Sequence, residues 1–302
     1  MASNYRRVWL VPLAAILGAA LLCACRQAAA PTSSTPTLTR PAALPTATPA
    51  VEDWSPPASP VGPIEISYID NCGFLIAGGG KKVLIDAHHL GVPEDIRVAM
   101  ETGQPPFDSV DLILITHNHY DHFDAGVLGR ALEANPDVMV AASEQVVGDM
   151  SRAWAGYAQA KDRLVGFRPG RGERVRVTLQ GIGLEALNLP HGTSALNVGF
   201  IIHLAGKKLL HTGDILNPTQ VAAYNLRDDH LDLAFFEVTW LMERAFQKNG
   251  RATIINIIGA EWITPMHPSP FKFNSPELMQ SLEAQYPKIL LYRAAMEPLV
   301  LP

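Results

Sequence analysis

The stretch "THNHYDHFD", Thr116–Asp124, decides how this chain is read. It follows "DLILI", Asp111–Ile115, an apolar run with the composition of a buried strand. His117, His119, Asp121 and His122 therefore crowd together just beyond a strand end. Neighbouring imidazoles repel once protonated, and each costs desolvation, so such a cluster needs a compensating partner. On a helix these four side chains would fan round the axis, unlike the i, i+4 histidines of a helical zinc motif. A loop between the strand and a helix opening near Phe123 lets them converge.

Three further groups stand at the ends of expected strands. "LNLPHG" places His191 after one, "KKLLHTGD" places Asp214 after another, and "ITPMHPSP" places His267 after a third. Gly213 permits a tight turn before Asp214. Strand-to-loop junctions are where functional groups sit on a rigid scaffold. Neutral imidazole and carboxylate suit zinc and other borderline divalent ions. Cys72 is read as a small buried hydrophobe, so no thiolate is counted among the donors. His88, His89, His203 and His230 are read as structural, and His211 as a candidate to orient a ligand. Asn118, Tyr120, Phe123 and Trp240 are candidates for the pocket wall.

In sequence order, this set resembles the metallo-β-lactamase-fold superfamily of hydrolases. The matching positions are His117, His119, Asp121 and His122 of an H-x-H-x-D-H motif, followed by His191, Asp214 and His267. "SYIDNCGFLIAGGGKKVLIDA" and "GKKLLHTGD" further resemble the ascorbate-6-phosphate lactonase-like branch, and phospholipase D-like proteins acting on N-acyl-phosphatidylethanolamine share much of the pattern. The resemblance implies an α+β fold, a four-layer αββα sandwich with two divalent metal ions at one edge, zinc or alternatively manganese. It implies that His117, His119 and His191 hold one ion, that Asp121, His122 and His267 hold the other, and that Asp214 bridges them. Asp86 falls where the superfamily often carries an aspartate and is expected to support the metal loop.

The implied chemistry is hydrolysis of an ester, lactone or phosphoester bond by a hydroxide shared between the ions, with Asp121 orienting the nucleophile. The alternatives are a phosphodiesterase acting on membrane lipids and a non-catalytic metal- or ligand-binding lipoprotein. Asp214 at the bridging position argues against β-lactam hydrolysis.

Outward from the motif, "IEISYID", "CGFLIAGGG", "KKVLIDA", "VMVAA", "RVRVTL", "IGLEALNLP", "VGFIIHL", "KKLLHT", "LDLAFFEV", "WITPMH" and "KILLY" read as strands. "PEDIRVAMETG", "FDAGVLGRALEA" with Asp124 as N-cap, Ser143 to about Ala160, "PTQVAAYNL", "RATIINIIGA" and "SPELMQSLEAQ" read as helices.

The N-terminus reads as a targeting segment. Arg6 and Arg7 precede the apolar stretch Val8–Ala24, which has the pattern of a secretory signal peptide. It ends in "LLCAC", Leu21–Cys25, which resembles a bacterial lipobox, so residues 1–25 are expected to be signal and Cys25 to carry lipid. Residues 26–60, rich in Ala, Pro, Thr and Ser, read as a disordered tether, and residues 61–302 as the hydrolase domain. The expected setting is outside the cytoplasm, anchored to a membrane, with a small-molecule or lipid substrate. Among 302 residues, 48% are hydrophobic, enough for a sizeable core. The net charge of −5, with no Lys/Arg run, excludes a nucleic-acid partner.

Overall fold

The computed structural model describes residues 54–192, 195–216, 218–241, 251–267 and 276–302. The signal-peptide and lipidation expectations, Cys25 included, and the tether as far as residue 53 lie outside the described residues.

The strands are β1 (Ile64–Asp70), β2 (Gly73–Gly78), β3 (Lys81–Ile85), β4 (Leu112–Ile115), β5 (Met139–Ser143), β6 (Leu164–Phe167), β7 (Arg174–Leu179), β8 (Ile182–Asn188), β9 (Val198–Leu204), β10 (Lys207–His211), β11 (Leu233–Glu237), β12 (Trp262–Met266) and β13 (Pro298–Leu301). The helices are α1 (Glu94–Glu101), α2 (Ala125–Ala134), α3 (Glu144–Ala153), α4 (Tyr157–Ala160), α5 (Val238–Leu241), α6 (Arg251–Ile258) and α7 (Pro276–Gln285). One sheet has the order β13-β1-β2-β3-β4-β5-β6 and the other β12-β11-β10-β9-β8-β7. Both are mixed. Strands β3 to β6 run parallel, as do β10 to β12, while the hairpin-linked strands pair antiparallel.

The layering follows from the alternation of side chains along each strand. Ile66, Phe74, Ile76, Ile85 and Leu114 face inward and meet Leu184, Phe200, Ile202 and Phe235 of the opposing sheet. At the centre the Phe74 and Phe235 rings lie 4.6 Å apart. Their neighbours in sequence, Leu75, Leu84, Ile113 and Ile115, turn the other way and pack on Leu128, Leu132, Val146 and Met150 of the helices. On the far side, Leu187, Ile201, Leu210 and Phe236 pack on Leu241, Ile258 and Leu282. The result is helix–sheet–sheet–helix. Burial on both faces explains why the strands read as near-continuous apolar runs.

Five local features differ from the sequence expectation. The tether was expected to extend to Pro60, but the segment from Trp54 packs on the body. Trp54 meets His203 edge-on at 5.5 Å, and Gly62 N–H bonds Ala205 O at 3.4 Å. The helix expected from Ser143 to Ala160 breaks at Trp154, which is extended. Its indole covers Gly129 and Gly156, where a Cβ would lie 2.5 Å away in each case. "PTQVAAYNL" forms 3-10 turns over Pro218–Tyr224 and Leu226–Asp229 rather than an α-helix. "KILLY" makes one bridge, Ile289 to Ile263, and is not a strand. Strands β6 and β13 were not anticipated.

The parallel strands bring the ends of β3, β4, β10, β11 and β12 to one edge of the sandwich, and the residues that follow them build the site.

Candidate metal centre

The motif loop leaves β4 at Thr116 and enters α2 at its N-cap, Asp124, whose Oδ1 accepts from Gly126 N–H and Val127 N–H, both at 2.9 Å. This fixes both ends of the loop. Within it, His122 N–H and Phe123 N–H donate to His119 O at 3.0 and 2.9 Å, closing a turn that aims the side chains inward.

The seven expected residues converge. Donor atoms of His117, His119, His191 and Asp214 lie within 4.8 Å of one another, as do those of Asp121, His122 and His267. Asp214 links the groups. Its Oδ2 lies 3.8 Å from His117 Nε2, 4.0 Å from His191 Nε2 and 3.4 Å from His267 Nε2. Its Oδ1 lies 3.3 Å from His122 Nε2. His267 Nε2 is also 3.5 Å from Asp121 Oδ2.

The ring orientations follow from hydrogen bonds behind the site. Asp86, fully buried at the end of β3, accepts from Thr116 N–H at 2.8 Å and from Thr116 Oγ1 at 2.7 Å. Having spent its proton on Asp86, the Thr116 hydroxyl can only accept from His117 Nδ1 at 3.0 Å. His122 Nδ1 donates to Asp86 Oδ2 at 2.9 Å. Both rings therefore keep a proton on Nδ1 and turn Nε2 inward, as metal-ligating histidines do. Among the described residues, His117 Nε2 and His122 Nε2 are buried with no hydrogen-bond partner. Asp86 thus takes the supporting part expected of it.

His211 supports a different wall. Its Nε2–H donates to Cys72 O at 3.0 Å, and its Nδ1 accepts from Gly213 N–H at 3.2 Å. Gly213 has φ +57, and a Cβ there would lie 2.1 Å from Asn197 Oδ1, so the turn before Asp214 admits only glycine.

Electrostatics match the geometry. Burial and the adjacent His122 push the His117 imidazole down to about 3, so it is neutral at pH 7. Burial opposes ionisation of Asp214, but the surrounding His122, His117 and His267 outweigh it and hold the carboxyl well below the usual range. Burial likewise opposes ionisation of Asp121, yet the His267 hydrogen bond and the His122 charge bring it to about 2. The carboxylates are charged and the His117 imidazole is bare, as cation binding requires.

Three neighbours escaped the sequence reading. Asn71, with φ +46, donates from Nδ2 to Asp121 O at 3.1 Å and Asp121 Oδ2 at 3.2 Å, and its carbonyl accepts from His267 N–H at 3.0 Å. Cys72 is buried in the inter-sheet core as expected, and its Sγ also donates to Asp214 Oδ1 at 3.6 Å, a contact the sequence did not show. Glu237, at the end of β11, is pushed up to about 7 by burial and by the nearby Asp214 charge. None lies in the motif; only the approach of the strand ends reveals them.

The pocket-wall expectations divide. Asn118 turns away and donates to Asp149 Oδ2 at 2.7 Å. Phe123 is in the core under the helices. Tyr120 is 86% exposed beside the site, and the Trp240 side chain lies outside the described residues. His88 and His89 are buried, and His203 bonds Glu185 Oε1 at 2.9 Å within the second sheet.

Comparison with known proteins agrees with this architecture. The family model of the beta-lactamase superfamily domain matches residues 81–269, and the chain belongs to that superfamily. A protein of Aeropyrum pernix described as a UPF0173 metal-dependent hydrolase is 30% identical over 156 residues, covering 49% of this chain and 60% of that protein. A probable L-ascorbate-6-phosphate lactonase of Salmonella choleraesuis is 26% identical over 120 residues, 35% of this chain and 33% of that enzyme. The match therefore spans less than two thirds of either relative. Igni18, a metallo hydrolase of Ignicoccus hospitalis, shares the fold with a TM-score of 0.57 at 17% identity, over 80% of this chain and 99% of that one.

Proposed function

We propose that this chain is a metal-dependent hydrolase with a dinuclear centre, cleaving an ester, lactone or phosphoester bond. The observation that carries this reading is Asp214, whose Oδ1 lies 3.3 Å from His122 Nε2 and whose Oδ2 lies 3.4–4.0 Å from the Nε2 atoms of His267, His117 and His191, so that one carboxylate reaches both histidine groups. The inward-facing Nε2 atoms of His117 and His122, buried and without a hydrogen-bond partner among the described residues, and the imidazole–carboxylate donor set fit divalent zinc, with manganese as the alternative. His117, His119 and His191 would hold one ion, and Asp121, His122 and His267 the other, with Asp214 between them. When bound, such a pair supplies Lewis acidity toward a carbonyl or phosphoryl oxygen and eases deprotonation of water.

The chain's own residues supply position and proton transfer. His117 and His122 form a floor with no side-chain exposure, whereas Asp121, His267 and His191 are 28%, 23% and 19% exposed, so substrate approaches from their side. Asp121 Oδ2, held by Asn71 and reached by solvent, orients the attacking water and accepts its proton. The named lactonase relative supports a lactone or phosphate-bearing small molecule. A second reading, a lipid phosphodiester, is favoured by Tyr120 and Leu216, 86% and 54% exposed on the loops that carry Asp121 and Asp214. The proposed setting is that of an exported lipoprotein, anchored through Cys25.

The test compares zinc-loaded and chelator-stripped protein on a panel of lactones, carboxylic esters, phosphate monoesters and lipid phosphodiesters. Zinc-dependent turnover of one class, abolished in His119→Ala and Asp121→Ala variants that keep their fold, is the expected result. Full turnover in either variant, or none on any class, overturns the proposal.

A further inference from the structure

Cys72 sits at the tip of the β1–β2 hairpin, and its position is fixed from three sides. Asn71 before it takes a left-handed φ of +46. Gly73 after it passes so close to the end of β1 and to the chain beyond β3 that a Cβ there would lie 2.8 Å from Asp70 O and 3.1 Å from Asp86 O. The buried His211 Nε2–H donates to its carbonyl at 3.0 Å. This backbone places a fully buried thiol where the inter-sheet core meets the floor of the site, and its Sγ donates to Asp214 Oδ1 at 3.6 Å.

The distances have a specific pattern. Zinc bonds of about 2.3 Å to sulfur and about 2.0–2.1 Å to nitrogen or oxygen set adjacent ligand atoms about 3.1–3.5 Å apart for S···O and about 2.9–3.3 Å for N···O, from a five-coordinate shell with Asp121 and His267 to a tetrahedral one. Cys72 Sγ lies 3.6 Å from Asp214 Oδ1, and His122 Nε2 lies 3.3 Å from the same oxygen. Cys72 Sγ, His122 Nε2 and an Asp214 oxygen all fall within 4.8 Å of one another. The independent pointer to a ligand is His122, whose ring is 0% exposed and whose Nε2 has no hydrogen-bond partner among the described residues.

We propose that Cys72 is a sulfur ligand to the ion held by His122 and Asp214. The inference rests on the dinuclear reading above. As the metal–sulfur bond forms, the thiol proton is released to solvent, so each ion bound there exchanges for that proton. A thiolate makes this half of the centre softer than an all-nitrogen-and-oxygen site, favouring zinc, cobalt or cadmium over manganese.

The test uses the purified full chain loaded with cobalt(II), with cobalt content measured alongside the absorption spectrum. The wild type is expected to show a sulfur-to-cobalt charge-transfer band in the near ultraviolet. Cys72→Ser is expected to lose it while keeping the ligand-field bands in the visible, and a Cys23→Ser/Cys25→Ser double variant is expected to retain it. Zinc-edge X-ray absorption of the wild type needs no substitution, and should show a sulfur neighbour at about 2.3 Å. Cobalt bound without the charge-transfer band, a band that survives in Cys72→Ser, or a zinc shell of nitrogen and oxygen alone would overturn the sulfur assignment and leave the dinuclear reading standing. Failure to bind cobalt or zinc at all would overturn both.

Discussion

His122 Nδ1 lies 2.9 Å from Asp86 Oδ2, and neither side chain is exposed to solvent. Through this contact a carboxylate that faces no substrate fixes the ring orientation of a histidine that faces the metal site. The same carboxylate fixes Thr116, and through it His117. One residue at the end of β3 therefore orients imidazoles on both sides of Asp214.

Removal of Asp86 tests that arrangement. In Asp86→Ala, His122 and Thr116 lose a buried partner. Zinc affinity should fall about 10- to 100-fold, the usual effect of losing a partner that orients a metal-ligating histidine. Competition with a chromogenic chelator measures it. Unchanged affinity would mean that His122 is held by packing alone.

Asn71 acts on Asp121 in a comparable way. Its Nδ2 donates to both the carbonyl and the carboxylate of Asp121. A hydrogen bond to a charged group contributes about 1.5–3 kcal/mol. Asn71→Gly, which accepts the φ of +46 without strain, should therefore lower kcat of the zinc-dependent hydrolysis by about 10- to 100-fold when assayed well below its unfolding midpoint. Unchanged kcat in the folded variant would assign Asn71 a purely structural part.

Gly213 is constrained twice, by φ +57 and by Asn197 Oδ1, which would lie 2.1 Å from any Cβ at this position. Gly213→Ala should cost about 2 kcal/mol or more, combining left-handed strain with overpacking. Urea unfolding monitored by tryptophan fluorescence would measure it. A change below about 0.5 kcal/mol, the range of an ordinary surface substitution, would contradict this account.

Glu185 provides a pH dependence away from the metal site. Burial would raise its carboxyl, but His203, Arg174 and Arg176 lower it from an ordinary 4.5 to about 2. The unfolded chain then binds more protons between these values, so the contribution is complete above about pH 4.5 and is lost as pH falls through about 2. Wild-type stability should decline over that window. The decline should be shallower in Glu185→Gln, which starts from lower stability at pH 7. Parallel curves would contradict the linkage.

The strands and the polar groups that follow them were legible from local signals, whereas the four-layer sandwich and the pooling of the seven residues were implied by the resemblance to the superfamily. "DLILI" reads as a buried strand from composition, and each ligand type stands directly after such a run. The break at Trp154 was not legible, because it depends on Gly129 and Gly156 leaving room for an indole from across a helix–helix contact. Strand β13, with Pro298 at its start and only β1 as neighbour, has neither the length nor the alternation that marks a strand. "KILLY" carries the opposite lesson. Its apolar run lies beside Ile263 without extending a ladder. Cys72, although inside the stretch that resembles the lactonase-like branch, and Glu237 escaped because no ligand pattern marks either position. Cys72 is 142 positions from the carboxylate it meets, and only the folded chain joins them.

The central claim is that Asp214 lies between two ions held by the two histidine groups. Anomalous diffraction at the zinc edge, on crystals of zinc-loaded protein, tests it most directly. The account requires two peaks about 3.5–4 Å apart on either side of the Asp214 carboxylate, the spacing of paired-metal hydrolytic sites. A single peak, or none among His117, His122 and Asp214 at saturating zinc, would contradict it.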